Sequence, residues 1–211
     1  MATVQSGNPL LLGVLVSGRG SNLQAIIDAI ESGSLHARIA VVICNHRRAF
    51  ALERAARHGA PASVIVRAAY ASRDDQERAM VGCLTAHGAE LLVCAGYDRI
   101  VGPTLQAAFA GRAINIHPSL LPAFGGGLHA QADALAYGVK VSGCTVHFVT
   151  DTVDAGPIIV QRSVPVLEDD TTDTLSERIL AEEHKALPAA IGLIAAGRVS
   201  VAGRRVTIAP A

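Results

Sequence analysis

Leu10-Leu11-Leu12-Gly13-Val14-Leu15-Val16 runs straight into Ser17-Gly18-Arg19-Gly20-Ser21-Asn22 and then into Leu23-Gln24-Ala25-Ile26-Ile27-Asp28-Ala29-Ile30. The first stretch is unbroken apolar sequence, the pattern of a strand covered on both faces. In the last, Leu23, Ile26, Ile27 and Ile30 fall at i, i+3, i+4 and i+7, one face of a helix that Gly33 ends. The alternation continues outward. Residues 39–44 read as a second buried strand, 49–58 as a helix stopped by Gly59 and Pro61, and 63–66 as a short strand. Residues 74–87 read as a helix stopped by Gly88, and 91–95 as another buried strand. Strands alternating with helices build right-handed βαβ units and a mostly parallel sheet. The expected fold class is therefore α/β, Rossmann-like, with three layers and a central sheet of about seven strands flanked by helices. Ligands of such sheets bind beyond the carboxyl ends of the strands.

The second half changes character. Residues 113–116 read as a short strand, followed by a Pro/Gly-rich stretch from Pro118 to Gly127. Two long strands are expected at 141–149 and 158–166, and an amphipathic helix from Thr172 to about Leu187. Pro188 should kink or break that helix, and 199–208 suits a terminal hairpin.

Composition excludes several classes. Of 211 residues, 18 are Lys or Arg and 18 are Asp or Glu, so no basic field exists to hold a nucleic-acid backbone. Half the residues are hydrophobic and 3% aromatic, which predicts an ordered chain with an aliphatic core. Cys44, Cys83, Cys94 and Cys144 form no CxxC pair and read as reduced core residues. The N-terminal MATVQSGNPL lacks the pattern of a secretory signal, and 10–16 is far too short to span a bilayer. A cytoplasmic protein is the expectation.

Three segments carry chemistry. The turn 17–22, between a strand and a helix start, has the shape of a phosphate-binding loop; as a plain tight turn it would use Ser21 or Asn22 as N-cap. Asn115 and His117 lie two apart on a strand and leave the same face at its end, where an amide beside an imidazole can stabilise an oxyanion or simply satisfy the proline-rich turn. Asp151 and Asp154, in the loop 151–156, can orient a His or belong to an Asx-rich turn. No pair among the eight histidines has metal-site spacing and no GxSxG occurs, so neither a catalytic metal nor a serine nucleophile is expected. His147 reads as a structural strand residue, and Arg47-Arg48 and Arg204-Arg205 as solvated surface.

Together, SGRGSNLQAIIDAI at 17–30, CAGYDRIVGP at 94–103, INIHPSLLPAF at 114–124 and GCTVHFVTDTVDAGPII at 143–159 resemble the phosphoribosylglycinamide formyltransferases of the folate-dependent formyltransferase superfamily. The resemblance runs from about Leu10 to Val206. It implies one formyltransferase domain over 1–211, with a phosphate-binding half at about 8–110 and a folate-binding, catalytic half at about 111–211. It implies transfer of formyl from 10-formyltetrahydrofolate, a co-substrate, to the amine of glycinamide ribonucleotide, by a monomer or homodimer with no metal, nucleic-acid or membrane partner. Asn115, His117 and Asp154 match the family's catalytic residues. Gly20, Ser21, Asn22 and Glu183 match its ribonucleotide contacts. Arg73, Asp98, Arg99, Ile100, Val101, Asn115 and Asp151 match its folate contacts.

The implied chemistry is direct attack of the substrate amine on the formyl carbon. Asn115 and a protonated His117 would donate to the oxyanion, with Asp154 keeping the imidazole charged and relaying protons. Three positions depart from the family pattern. Asp98 replaces an apolar residue, commonly Met, and either alters the folate pocket or points to solvent. Gly125-Gly126-Gly127 replaces a Pro-Gly-like turn and predicts a more mobile loop, and Arg19 offers an added phosphate contact. The competing readings are a 10-formyltetrahydrofolate hydrolase, which would carry an extra N-terminal domain, and a methionyl-tRNA formyltransferase, which would carry a basic C-terminal extension. A non-catalytic folate- or nucleotide-binding module on the same fold is the third.

Overall fold

The computed structural model describes residues 7–210. The opening residues, including most of the segment tested for an export signal, lie outside it. The elements in chain order are β1 (Leu10–Val16), α1 (Ser21–Glu31), β2 (Ala37–Cys44), α2 (Phe50–Arg57), β3 (Ala62–Val64), α3 (Arg73–Ala86), β4 (Leu91–Cys94) and α4 (Pro103–Ala108). These are followed by β5 (Ala113–His117), α5 (Ala130–Tyr137), β6 (Val141–Phe148), β7 (Ile158–Pro165), α6 (Thr172–Ala195), β8 (Val199–Ala202) and β9 (Arg205–Ile208). Seven strands form one sheet in the order β3-β2-β1-β4-β5-β6-β7, and β8 pairs with β9 as a separate hairpin. The first five of those strands run parallel, while β6 is antiparallel to both β5 and β7.

The continuous apolar strands are explained by two cores. Leu12, Val14 and Val16 of β1, with Leu91 and Val93 of β4, face a core shared with Leu23, Ile26 and Ile27 of α1 and Leu175, Ile179 and Leu187 of α6. The alternate residues Leu15, Leu92 and Cys94 face a second core with Met80 and Leu84 of α3 and Leu105 of α4. Period-two alternation therefore feeds both faces, and no face of these strands is left for polar residues.

Close packing also fixes particular glycines. Gly143 in β6 lies against β7, where a Cβ would run into the Arg162 carbonyl and the Leu120 side chain. Gly143→Ala is expected to cost about 1–3 kcal/mol as overpacking, read as a lower midpoint in thermal unfolding.

Pro188 neither breaks α6 nor ends it; the helix continues for 24 residues through the proline. The missing N–H and the ring clash cost about 3 kcal/mol in an isolated helix. Here Ala186, Leu187, Ala190 and Ile191 flank the proline and are fully buried, so the sheet and α1 hold both sides of the position in place. Burial of such side chains at about 1.5–3 kcal/mol for each large one outweighs the local penalty. The sequence reading also passed over α4, only six residues long, and α5, whose AQADALAY carries almost no sidedness.

All four cysteines are free, and Cys44, Cys94 and Cys144 are buried. Among the described residues, no helix is long and apolar enough to cross a membrane.

Candidate active site

Ile114 and Ile116 of β5 point into the core under α6, so Asn115 and His117 emerge on the opposite face. The antiparallel β6 places His147 directly across from Asn115. The loop after β6 then folds back over this polar row. Its Asp154 adopts a left-handed backbone conformation, with φ 52°, which suits Asp better than most residues because its short polar side chain bonds locally.

The result is a compact polar cluster. His117 Nδ1 stands 3.3 Å from Asp154 Oδ2, and His147 Nε2 stands 3.6 Å from Oδ1. The Gly126 N–H donates to Asp154 Oδ2 at 2.8 Å. His117 Nε2 lies 2.9 Å from the Phe124 carbonyl. Each ring nitrogen of His117 thus faces an acceptor, the arrangement an imidazolium satisfies by donating twice. His147 Nδ1 lies 2.9 Å from the Phe148 carbonyl, leaving Nε2 to face the Asn115 amide at 3.3 Å. Burial pushes the Asp154 carboxyl up. The neighbouring His147 ring, the Gly126 N–H and the charge of His117 outweigh that and hold it below the usual carboxylate value.

The Asp154 loop is tethered from outside. Gln106 Nε2 donates to the Val101 carbonyl at 2.8 Å and to the Thr150 carbonyl at 3.1 Å, joining the 98–101 strip to the loop. Arg204, at the tip of the C-terminal hairpin, donates to the Ala155 carbonyl at 2.6 Å. The loop after β5 is anchored at its base by Thr145, whose hydroxyl accepts from the Leu121 N–H and donates to the Ser119 carbonyl.

A cleft of about 1060 Å³ opens over this cluster. Asn115, His117 and Asp154 line it, as do Arg73 and the whole strip Asp98, Arg99, Ile100 and Val101. Arg73 is oriented by Glu77 at 2.9 Å and by the Ile100 carbonyl at 2.6 Å. A second recess of about 620 Å³ is lined by Ser17, Gly18 and Arg19 together with residues 46–50. His46 and Arg47 line both.

Gly20 precedes the first turn of α1 with φ 70°, and a Cβ there would come within 2.6 Å of Ala51. Glycine is thus required on two counts, and the turn after β1 lies tight against α2. Asn22 Nδ2 donates to Glu183 Oε2 at 2.7 Å, linking α1 to α6, while Asn22 Oδ1 is buried and unpartnered among the described residues. Burial raises the Glu183 carboxyl above its ordinary value against the opposing hydrogen bond from Asn22.

Several sequence readings need correction. His147 is part of the polar cluster rather than a strand filler; only the β5–β6 register, invisible in one strand, puts it beside Asn115. Asp151 lies outside the cleft lining and accepts from the Thr152 N–H at 2.9 Å. Asp98 is exposed and lines the cleft, but its carboxylate is also held by Ser17, Asn45 and His46. Arg47 and Arg204 are exposed, as read from the sequence, and in addition Arg204 tethers the loop and Arg47 lines both cavities. Sequence reading also missed Gln106 and Phe124, because a side chain reaching a distant carbonyl leaves no local pattern.

The protein-family model for the formyl transferases matches residues 12–191. This chain belongs to the formyl transferase family. Among its relatives, the phosphoribosylglycinamide formyltransferase of Mycobacterium tuberculosis H37Rv is 44% identical over 200 residues, 95% of this chain and 92% of that protein. The Trifunctional purine biosynthetic protein adenosine-3 of Chironomus tentans is 46% identical over 190 residues, but these are 89% of this chain and only 14% of that far longer protein. A crystal structure of glycinamide ribonucleotide transformylase 1 from Symbiobacterium toebii superposes with a TM-score of 0.95 at 51% identity, covering 99% of both chains. The seven-stranded, mostly parallel sheet of this formyl transferase is the α/β architecture expected from the sequence.

Proposed function

We propose that this chain transfers the formyl group from N10 of 10-formyltetrahydrofolate to the amine of glycinamide ribonucleotide. The observation that carries the reading is His117, set between the Asp154 carboxylate and a backbone carbonyl in a cleft it shares with Asn115. The substrate amine attacks the formyl carbon, a C–N bond forms, the C–N10 bond breaks, and one proton passes from the amine to N10. No protein nucleophile is needed, and burial pushes the Cys94 and Cys144 thiols up to about 12, far from thiolates at neutral pH. Charge grows on the formyl oxygen. Asn115 donates from its amide, and His117 donates after exchanging the Phe124 carbonyl for that oxygen. Asp154 balances the imidazolium and, with water, relays the proton.

In this reading Arg73, Arg99, Ile100 and Val101 wall the folate side. Gly20, Ser21, Asn22 and Glu183 hold the ribonucleotide, whose phosphate suits the N-terminus of α1. One domain carries both sites. The chain works in the cytoplasm as a monomer or homodimer on two small soluble substrates.

The test is tetrahydrofolate formation from 10-formyltetrahydrofolate with and without glycinamide ribonucleotide. Turnover that requires the ribonucleotide supports transfer; equal turnover without it assigns a hydrolase instead. Glu183 gives a second expectation. Its folded proton affinity is raised, so its contribution to stability declines as pH climbs from the ordinary carboxylate value through the raised one. Glu183→Gln should therefore melt higher at neutral pH while binding the ribonucleotide more weakly, measured by thermal unfolding and calorimetry. A variant that loses stability and keeps its affinity would contradict both parts.

A further inference from the structure

The Asp98 carboxylate is partly exposed at the cleft, yet three protein donors hold it. The sheet order places β1 beside β4, while the chain leaves β1 toward β2 and β3 before returning to β4 on the other side. The ends of β1 and β4 thus form the crevice where such sheets take ligands. Asp98 follows β4 at that point. Its Oδ1 accepts from Ser17 Oγ at 3.0 Å and from Asn45 Nδ2 at 2.7 Å, and its Oδ2 faces His46 Nε2 at 2.8 Å. The Ser17 hydroxyl in turn accepts from the Asp98 N–H at 2.9 Å, and the Ser17 N–H donates to the Gly96 carbonyl at 3.1 Å. One side chain therefore joins the ends of β1, β2 and β4. Ser17 and Asn45 are both buried.

We propose that Asp98 is a positioning residue for the ribonucleotide side of the site, fixing the turn that begins at Ser17 and the wall at Asn45 and His46. This rests on the formyl-transfer reading above. Both carboxylate oxygens already accept from protein donors, so Asp98 acts through Ser17 and His46 rather than by reaching for pterin. Ser17 opens the SGRGSN turn that leads to Gly20, Ser21 and Asn22, and His46 lines the boundary between the two cavities. An apolar residue at 98 would leave the Ser17 hydroxyl and the Asn45 amide without their acceptor. Asn45 Oδ1 is already buried without a partner among the described residues, so the amide has no spare bond to fall back on.

The experiment varies each substrate in turn for the unsubstituted chain, Asp98→Leu, Asp98→Asn, Ser17→Ala and the Leu/Ala double variant, after circular dichroism has established folding. Asp98→Leu should raise KM for the ribonucleotide about tenfold and move KM for the folate less than about twofold. Asp98→Asn keeps one acceptor and should recover most of the loss, which carries the test if the leucine variant does not fold. The double variant should be scarcely worse than Asp98→Leu alone, because both remove the same link. Calorimetry with ribose 5-phosphate as probe should show the same weakening without turnover. An unchanged ribonucleotide KM, or a larger change in the folate KM, overturns the proposal while the transferase reading stands. No transfer by the unsubstituted chain overturns that reading and this one with it.

Discussion

His117→Ala is expected to lower kcat by about 10²–10³-fold, the usual cost of deleting one donor to a developing oxyanion, while the fold survives. The side chain is 7% exposed and its loss empties one position at a cleft wall rather than in either apolar core. The deficit should appear in kcat more than in KM for either substrate, since the donor acts most strongly when charge has built on the formyl oxygen. His117→Asn is the informative companion. It keeps a polar side chain but supplies no cationic donor, so it should remain close to the alanine variant. Single-turnover formyl transfer separates the chemical step from product release. A variant within about threefold of the unsubstituted rate would remove His117 from the proposed mechanism.

Asp154→Asn should also lose about 10² or more in kcat, by a different route. Asparagine tolerates the left-handed backbone that residue 154 adopts, so the loop is expected to hold its course. What disappears is the carboxylate facing both His117 and His147. Because part of the Asp154 effect runs through His117, the loss in the double variant with His117→Ala should be smaller than the product of the two single losses. A stability measurement adds an independent check. The folded carboxyl is held below its ordinary value, so its ionised form favours folding. That contribution is complete above the unfolded value, about 3.9, and is lost as pH falls through the lowered folded value. The melting temperature of Asp154→Asn should therefore fall less steeply with acid than that of the unsubstituted chain. Parallel curves would show that the carboxylate is not stabilised in the folded state.

The parts of the fold legible in the sequence were those whose cause is local. The run at 10–16 could only be a doubly covered strand, and the spacing of Leu23, Ile26, Ile27 and Ile30 could only suit one helical face. Pro188 misled because its local penalty is outweighed by burial from residues on other elements. At the site, Asn115 and His117 were visible as a same-face pair on one strand. His147 was not, since its role depends on which strand lies alongside and in what register. Asp98 was noticed as an oddity, but its partners sit 81, 53 and 52 positions away, and no window of sequence brings them together. Phe124 escaped because it takes part through its carbonyl, a group every residue has.

The Arg204 bond to Ala155 has a practical meaning for anyone handling this protein. The hairpin tip at Gly203 is exposed and carries no part of either apolar core, so a protease nick or an appended tag there would spare the sheet. It would nevertheless release a brace one residue from the acid that attends the imidazole, so a preparation nicked at the tip is expected to turn over more slowly with its sheet intact.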